Sequence, residues 1–415
     1  MVIKEGYKQT DIGVIPGDWH VKSIEELTPQ NKKNGIVDGP FGSNLKTIHY
    51  RKSGIPIITS GYVTNGYFYA NEYLYVELEK FKQEKRSSVQ GGDIVMAKIG
   101  ERCGASAILP LNHQTGILSG NALKISIDEN KYPTTLIWQI LYNLYITGKL
   151  EILRTTGAQP ALSMANLKKF QIALPPTLTE QTAIASALSD TDGLITGLEK
   201  LIAKKRNIKQ GAMQQLLQPK EGWEVKKLGE VATIVRGASP RPIEDAKWFD
   251  NQSPIGWVRI SDVTKSKKVL NETTQTLSDL GVKNSRLVEN GNLIMSICAT
   301  VGRPILTTFD VCIHDGFVVF RNPQIDKEYL YYFLTFIEDN WSKSGQTGSQ
   351  MNLNTALINN TEIPFPNSNE EQTRIANIFS DMDAELSALE QKLEKYKKVK
   401  LGMMQELLTG KTRLN

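Results

Sequence analysis

Two stretches of this 415-residue chain place apolar residues at alternating intervals of four and three. In the later one, Ile375, Phe379, Met382, Leu386, Leu389, Leu393 and Tyr396 are followed by Met403 and Leu407. In the earlier one the same register runs through Ile184, Leu188, Ile195, Leu198, Ile202 and Leu216, broken by Thr191, Lys205 and the small Ala212. That spacing is the buried seam of a coiled coil. The stretches are also copies of each other. A displacement of 191 residues sets Gln181 on Gln372, Ile184-Ala185 on Ile375-Ala376, Leu198-Glu199 on Leu389-Glu390 and Met213-Gln214 on Met404-Gln405 without a gap. Each predicts a helix of roughly 55–60 Å at about 1.5 Å per residue. A seam of that length has to be covered, and the other copy is the partner at hand, so the pattern predicts a long antiparallel pair between two similar bodies. Gly193 and Gly197 weaken the first helix and leave open a second arrangement, in which each helix packs only on its own body.

Outside the helices the pattern changes to short apolar runs that end in Gly, Pro, Ser or Asn, the mark of strands and turns. These runs recur in the same order in both halves. Trp19-His20-Val21-Lys22 returns as Trp223-Glu224-Val225-Lys226, a displacement of 204, so the first body is 13 residues longer while the helices have kept their length. Val37-Asp38-Gly39-Pro40-Phe41-Gly42-Ser43-Asn44 corresponds to Val235-Arg236-Gly237-Ala238-Ser239-Pro240-Arg241, and Gly92-Asp93-Ile94 to Gly291-Asn292-Leu293. Gly157-Ala158-Gln159 matches Gly348-Ser349-Gln350 before each long helix. Aromatic helical stretches, Thr135 to Ile146 and Tyr329 to Trp341, read as core. The chain therefore divides into a body at 1–178, a helix at 179–218, a second body at 219–367 and a second helix at 368–415. The fold class is α+β: two similar mixed α/β globular domains separated by a long antiparallel two-helix coiled coil, with approximate two-fold symmetry.

Length and composition narrow this only slightly. The chain is too long for one core, and a net charge of +5 with a pI near 8.8 permits a nucleic-acid partner without requiring one. Cys103, Cys298 and Cys312 lack any paired spacing and read as buried thiols, and four scattered histidines give no zinc pattern. No segment approaches eighteen apolar residues in a row and the start lacks a signal-peptide core, so a soluble cytoplasmic protein without membrane contact is expected.

Catalytic patterns are missing as well. Thr409-Gly410-Lys411-Thr412 ends like a phosphate-binding loop, yet it follows a helix and has Gln405 where that loop needs glycine. Pro175-Pro176 lacks the polar residue before it and the aromatic after it with which an amino-methyltransferase grips an extruded base. Asp245-Ala246-Lys247 has the acid–lysine spacing of metal-dependent nucleases, but no second acid is evident and it reads as a surface turn. No nucleophile elbow and no paired Cys and His occur. The chain is expected not to catalyse and to hold no cofactor or metal of its own.

Recognition remains. Double-helical DNA is a ligand with two sites a set distance apart, and it is read by Arg, Lys, Asn, Gln, Ser and Thr side chains. Loop residues of those types in the first body are Ser43, Asn44, Lys46, Thr59, Ser60, Lys98, Arg102 and Gln159. Those in the second are Arg236, Ser239, Arg241, Arg259, Ser261, Arg303, Gln346 and Gln350. Singly, each also fits an ordinary turn or solvated residue, and Gln159 and Gln350 fit equally as caps before the long helices.

The alternation of variable body and repeated helix resembles the specificity subunit of type I restriction-modification systems. The likeness is carried by Leu174-Pro175-Pro176 with Glu180-Gln181 and Ile184-Ala185, and by Pro364 and Pro366 with Glu371-Gln372 and Ile375-Ala376. Met213-Gln214-Gln215-Leu216-Leu217, Met404-Gln405-Glu406-Leu407-Leu408 and Gly39-Pro40-Phe41-Gly42-Ser43 add to it. It covers almost the whole chain. It implies that each body is a target recognition domain reading one half of a bipartite, asymmetric double-stranded DNA site, and that the helices set the spacer and bind two methylation subunits. Methyl donor, ATP and Mg would then belong to partner subunits, the methylation pair and the motor and nuclease restriction subunits. One departure is Gln218-Pro219-Lys220, where the second copy has Thr409-Gly410-Lys411. Two other readings stay open: a self-sufficient DNA methyltransferase or nuclease with an unrecognised site, and a protein-binding scaffold without DNA contact.

Overall fold

Each long helix begins where the sequence supplies a cap. Thr177 Oγ1 accepts from the Glu180 N–H at 3.2 Å, and Ser368 Oγ accepts from the Glu371 N–H at 3.4 Å, which satisfies a donor that the first turn otherwise leaves open. In the computed structural model the helices run Leu178–Leu216 and Asn369–Leu407, 39 residues each. The structure describes residues 3–31, 33–64, 66–155, 159–344 and 353–414; at Ser43 and residues 342–344 it describes the backbone alone. Two units are present, one of residues 1–199 with 392–415 and one of residues 200–391. Each unit thus takes one body, part of one long helix and part of the other.

In the first unit an antiparallel sheet orders Ser106–Ile108, Ile94–Ala97, Ala122–Ile125 and Ile36–Asp38. A second sheet orders Tyr75–Val76, Ile55–Ile58, Gly116–Leu118 and Ser88–Val89, with its central pair parallel. The core lies between the first sheet and the helix Thr134–Ile146, whose Leu136, Ile137 and Leu141 are buried. Ile184, Ala185 and Leu188 from the start of the first long helix join that core, as do Met404 and Leu407 from the end of the second.

The second unit repeats the plan. Its larger sheet orders Thr233–Arg236, Phe317–Arg321, Leu293–Ser296, Pro304–Thr307 and Val269–Leu270. Its smaller one orders Gln275–Thr276, Gly256–Val258, Val311–Ile313 and Arg286–Val288, again with a parallel central pair. The helix Lys327–Phe336 buries Tyr329, Tyr331, Tyr332 and Phe333, so the aromatic stretches are core, as their pattern predicted. Ile375, Ala376 and Phe379 enter this core with Met213 and Leu217.

Within each unit the two long helices run antiparallel. In the first, Asp192 pairs with Lys400 at 2.6 Å and Glu199 with Lys397 at 3.5 Å. In the second, Lys209 pairs with Asp383 at 2.5 Å and Arg206 with Glu390 at 2.7 Å. The seam is wetter than the heptad pattern predicts. Ile184, Leu188, Ile195, Ile202, Ile375, Phe379 and Leu407 are buried, whereas Leu198, Met382, Leu386, Leu389, Leu393 and Tyr396 are half-buried. The terminal positions shift by one: Leu217 and Met404 are buried, and the predicted Leu216 and Met403 only flank the cores. The last turns meet both a globular core and the other helix, Met403 Sδ lying 3.4 Å from Thr191 Oγ1, so the contact face rotates away from the strict seam. Among the described residues no helix is long and apolar enough to cross a membrane.

Candidate nucleic-acid interface

In both units one edge strand, Ile36–Asp38 or Thr233–Arg236, is followed by a glycine that touches a neighbouring loop. A Cβ on Gly39 would stand 2.0 Å from the Ser119 carbonyl oxygen, and one on Gly237 would stand 2.0 Å from that of His314. Neither position accepts any larger residue without moving backbone. The glycines pin Val37 to Asn44 against Ser119 to Asn121, and Val235 to Arg241 against His314 to Gly316. Polar side chains therefore gather at the same place in each body.

In the first body the cluster forms around Asp38. Its carboxylate accepts from Lys98 Nζ at 2.6 Å and Arg86 Nη2 at 3.0 Å, and its carbonyl accepts from Ser87 Oγ at 2.8 Å. The Lys98 ammonium also lies 4.0 Å from the centre of the half-exposed Phe41 ring. Lys98 was expected on a groove-facing loop; it is instead buried, with 9% exposure, because the strand Ile94–Ala97 carries it under the loop to neutralise Asp38. Beside it the exposed Asn121 accepts through Oδ1 from the Ser60 N–H at 3.3 Å and from Ser119 Oγ at 2.5 Å. That fixes the amide so that its nitrogen is the end left to donate. Thr59 caps the following turn, accepting from the Gly61 N–H at 3.2 Å. The side chains of Asn44, Lys46 and Gln159 are exposed, and Ser60 is half-buried.

In the second body Asp315 is the centre. Ser239 Oγ donates to its carboxylate at 2.7 Å, Arg241 Nη2 lies 3.4 Å from the other oxygen, and Arg236 Nε donates to its carbonyl at 2.7 Å. The Ser239 hydrogen bond and nearby cations hold the Asp315 carboxyl below its ordinary range. Next to it the His314 ring accepts from the Gly316 N–H at 2.9 Å and meets Phe317 edge-on, and burial holds its pKa below the ordinary value. Arg259 donates from Nε to Gln275 Oε1 at 2.7 Å, and Ser261 is exposed.

Arg102 and Arg303 share a different task. Arg102 Nη1 reaches Thr64 Oγ1 at 3.3 Å and Arg303 Nη2 donates to the Ser266 carbonyl at 3.0 Å, steadying the segments that follow Ile55–Ile58 and Gly256–Val258. Each segment turns toward a long helix: Tyr67 OH lies 3.4 Å from Asp192, and Lys267 pairs with Glu390 at 2.5 Å. Gln346 and Gln350 lie outside the described residues. Asp38, Asn121 and Asp315 were not singled out from sequence. Aligning Ser119-Gly120-Asn121 with His314-Asp315-Gly316 as a further pair of repeated loops would have drawn attention to two of them.

The repeated Gln of the helix starts also gains a role. Gln181 Nε2 donates to the Pro175 carbonyl at 2.9 Å, and Gln372 Nε2 to the Pro366 carbonyl at 2.7 Å, while Gln372 Oε1 accepts from the Asp326 N–H at 2.7 Å. Each buried amide ties the helix to the strand before it. The segment that ends like a phosphate loop is a helix terminus, with the Lys411 and Thr412 N–H groups returning to the Glu406 carbonyl. Asp245-Ala246-Lys247 forms a capped surface turn, with the carboxylate and ammonium 2.8 Å apart. Among the described residues no three His, Cys, Asp or Glu side chains are grouped to hold a metal ion.

A family model described as the type I restriction modification DNA specificity domain matches residues 16–210 and again 220–399. The chain belongs to that family. This specificity-domain chain is similar to two proteins of Methanocaldococcus jannaschii. One is the putative type I restriction enzyme MjaX specificity subunit, 24% identical over 99% of this chain and 97% of its own. The other is the type I restriction enzyme MjaVIII specificity subunit, 26% identical with the same coverage. Its fold is also that of a chain solved in work on complex assembly and conformational transition of the type I R-M system, with a TM-score of 0.60 and 15% identity over 96% of this chain and 99% of the other. The type I restriction-modification S subunit from M. genitalium gives 0.59 and 13% over 96% and 97%. At such identities these two likenesses speak to fold alone.

Proposed function

We propose that this chain is the DNA sequence-specificity subunit of a type I restriction-modification complex, each body reading one half of a bipartite, asymmetric site. One observation carries this reading: the same strands, ended by the same pinned glycine, hold different polar side chains in the two bodies. Asp38 and Arg236 occupy equivalent positions, as do Gly120 and Asp315, facing a shared geometry with unlike chemistry. Two readers on one scaffold with unlike contacts suit two unlike half-sites, since base edges are told apart by donor and acceptor pattern. Specificity subunits as a family supply recognition, and catalysis is assigned to partners: two methylation subunits with their methyl donor, and motor and nuclease subunits with ATP and Mg. The exposed flanks of the long helices are the surface offered to the methylation subunits.

We infer that the helix Leu178–Leu216, 39 residues long, sets the gap between half-sites. Mapping modified adenines across the genome of cells with and without this subunit gives both half-sites and the gap. Inserting four residues at Leu194 to Leu198 adds one turn, roughly 6 Å, and is expected to widen the gap by one to two base pairs at about 3.4 Å each. Modified sites that do not depend on the subunit would refute the assignment, and an unchanged gap would refute the spacer role.

A further inference from the structure

The cluster in the second body points to the base it reads. Gly237 against the His314 carbonyl fixes where the segment Arg236 to Arg241 leaves the sheet. Among the described residues Arg236 is anchored by one nitrogen, Nε to the Asp315 carbonyl at 2.7 Å, which leaves the two terminal nitrogens of an exposed guanidinium available to donate. Arg241 is held at one terminal nitrogen by the Asp315 carboxylate at 3.4 Å, and its side chain is 73% exposed. Arg286 joins from the adjoining strand, its Nε 3.4 Å from the Arg236 carbonyl. Asp315 is itself committed to Ser239 and Arg241. The cluster therefore presents guanidinium donors at an exposed surface, each tethered at Asp315, and offers few acceptors.

On the major-groove edge guanine presents two adjacent acceptors, N7 and O6, whereas adenine pairs an acceptor with a donor and cytosine presents a donor. A guanidinium fork matches only the first of these with two hydrogen bonds. We infer that Arg236 and Arg241, positioned by Asp315, each read a guanine, so that the half-site recognised by the second body holds a G·C pair for each arginine. This rests on the chain being a DNA specificity subunit, and it adds the base class and the residues that select it. Asp315 is a positioning residue: it touches no base and acts by aiming the two arginines.

The test uses the full chain with its methylation subunits in cells, with modified adenines mapped genome-wide for wild type, Arg236→Ala, Arg241→Ala, Arg241→Lys and Asp315→Asn. The wild-type motif is expected to hold a fixed G·C pair for each arginine in one half-site. Each alanine variant is expected to make the pair read by that arginine degenerate, with discrimination falling roughly 10- to 100-fold, while the other half-site and the gap stay as they were. The retained half-site reports that the variant is folded and assembled. Arg241→Lys keeps the charge without the fork and is expected to relax the pair that Arg241 reads. Asp315→Asn is expected to relax both pairs less. If the arginines bind phosphate instead, lysine restores function and all sites weaken together with an unchanged motif; that outcome overturns the inference, as does a half-site that lacks a G·C pair for either arginine. A wild-type complex that modifies no bipartite motif would instead remove the functional reading beneath it.

Discussion

The two bodies solve the same strand crossing in opposite ways. In the first, Lys124 of the strand Ala122–Ile125 stands opposite Val95 and reaches Asp93 at 3.2 Å, with both side chains at most 4% exposed, and Ser126 Oγ also donates to Asp93. In the second, the equivalent positions are Val319 opposite Ile294, and Asn292. One body buries an ion pair where its counterpart buries hydrocarbon. A buried pair contributes little net stability, since desolvation offsets its attraction, but removing one partner leaves an unpaired charge. The second body shows that the fold does not need the pair.

That contrast can be broken directly. Lys124→Ala is expected to destabilise the first body by about 3–5 kcal/mol, while Asp93→Asn combined with Lys124→Val, which copies the second body, is expected to recover most of the loss. Hydrogen exchange at residues 94–97 and 122–125 reads both; equal losses in the single and paired variants would contradict the comparison. The helix-start glutamines give a smaller asymmetry. Gln372 makes two hydrogen bonds, one of them buried, and Gln181 donates one to its strand, so Gln372→Ala should cost about 3 kcal/mol and Gln181→Ala about half as much. Exchange protection at the first turns of the two helices measures this, and a larger loss at Gln181 would argue against it.

A pH effect confined to the second body is the smallest. His314 stands where the first body has Ser119. Burial lowers its folded pKa, Arg259 adds to this and Asp315 opposes it. The unfolded chain therefore takes up the proton first: the contribution is present above the ordinary value of about 6.5 and is lost as pH falls below it. Strands 311–313 and 317–321 should lose exchange protection, corrected for the intrinsic rate, as pH falls below about 6.5, and His314→Gln should abolish the change, with no counterpart at residues 116–125. A matching loss in the first body would sink the assignment to His314.

Much of the scaffold was legible in the chain. The displacement of 191 residues identified the helices, and the shared order of strand-ending glycines paired the bodies, because period and repeat survive as sequence. The individual contacts were less legible. Lys98 and Arg303 look like any loop cation in sequence, yet one is buried on Asp38 and the other holds the Ser266 carbonyl. Asp315 looks like an ordinary turn acid, and only its position beside Gly237 makes it the centre of an arginine cluster.

The sequence by itself determined the duplication, the two long helices and the strand-rich bodies, since each follows from spacing along one chain. Only the tertiary structure decided which half of each helix completes which core, how wet the seam is, and which polar side chains face outward. Those outcomes depend on pairs of residues far apart in the chain, such as Asp192 with Lys400 or Arg236 with Asp315, whose meeting is set by packing and by the backbone approach at Gly39 and Gly237 rather than by any local pattern.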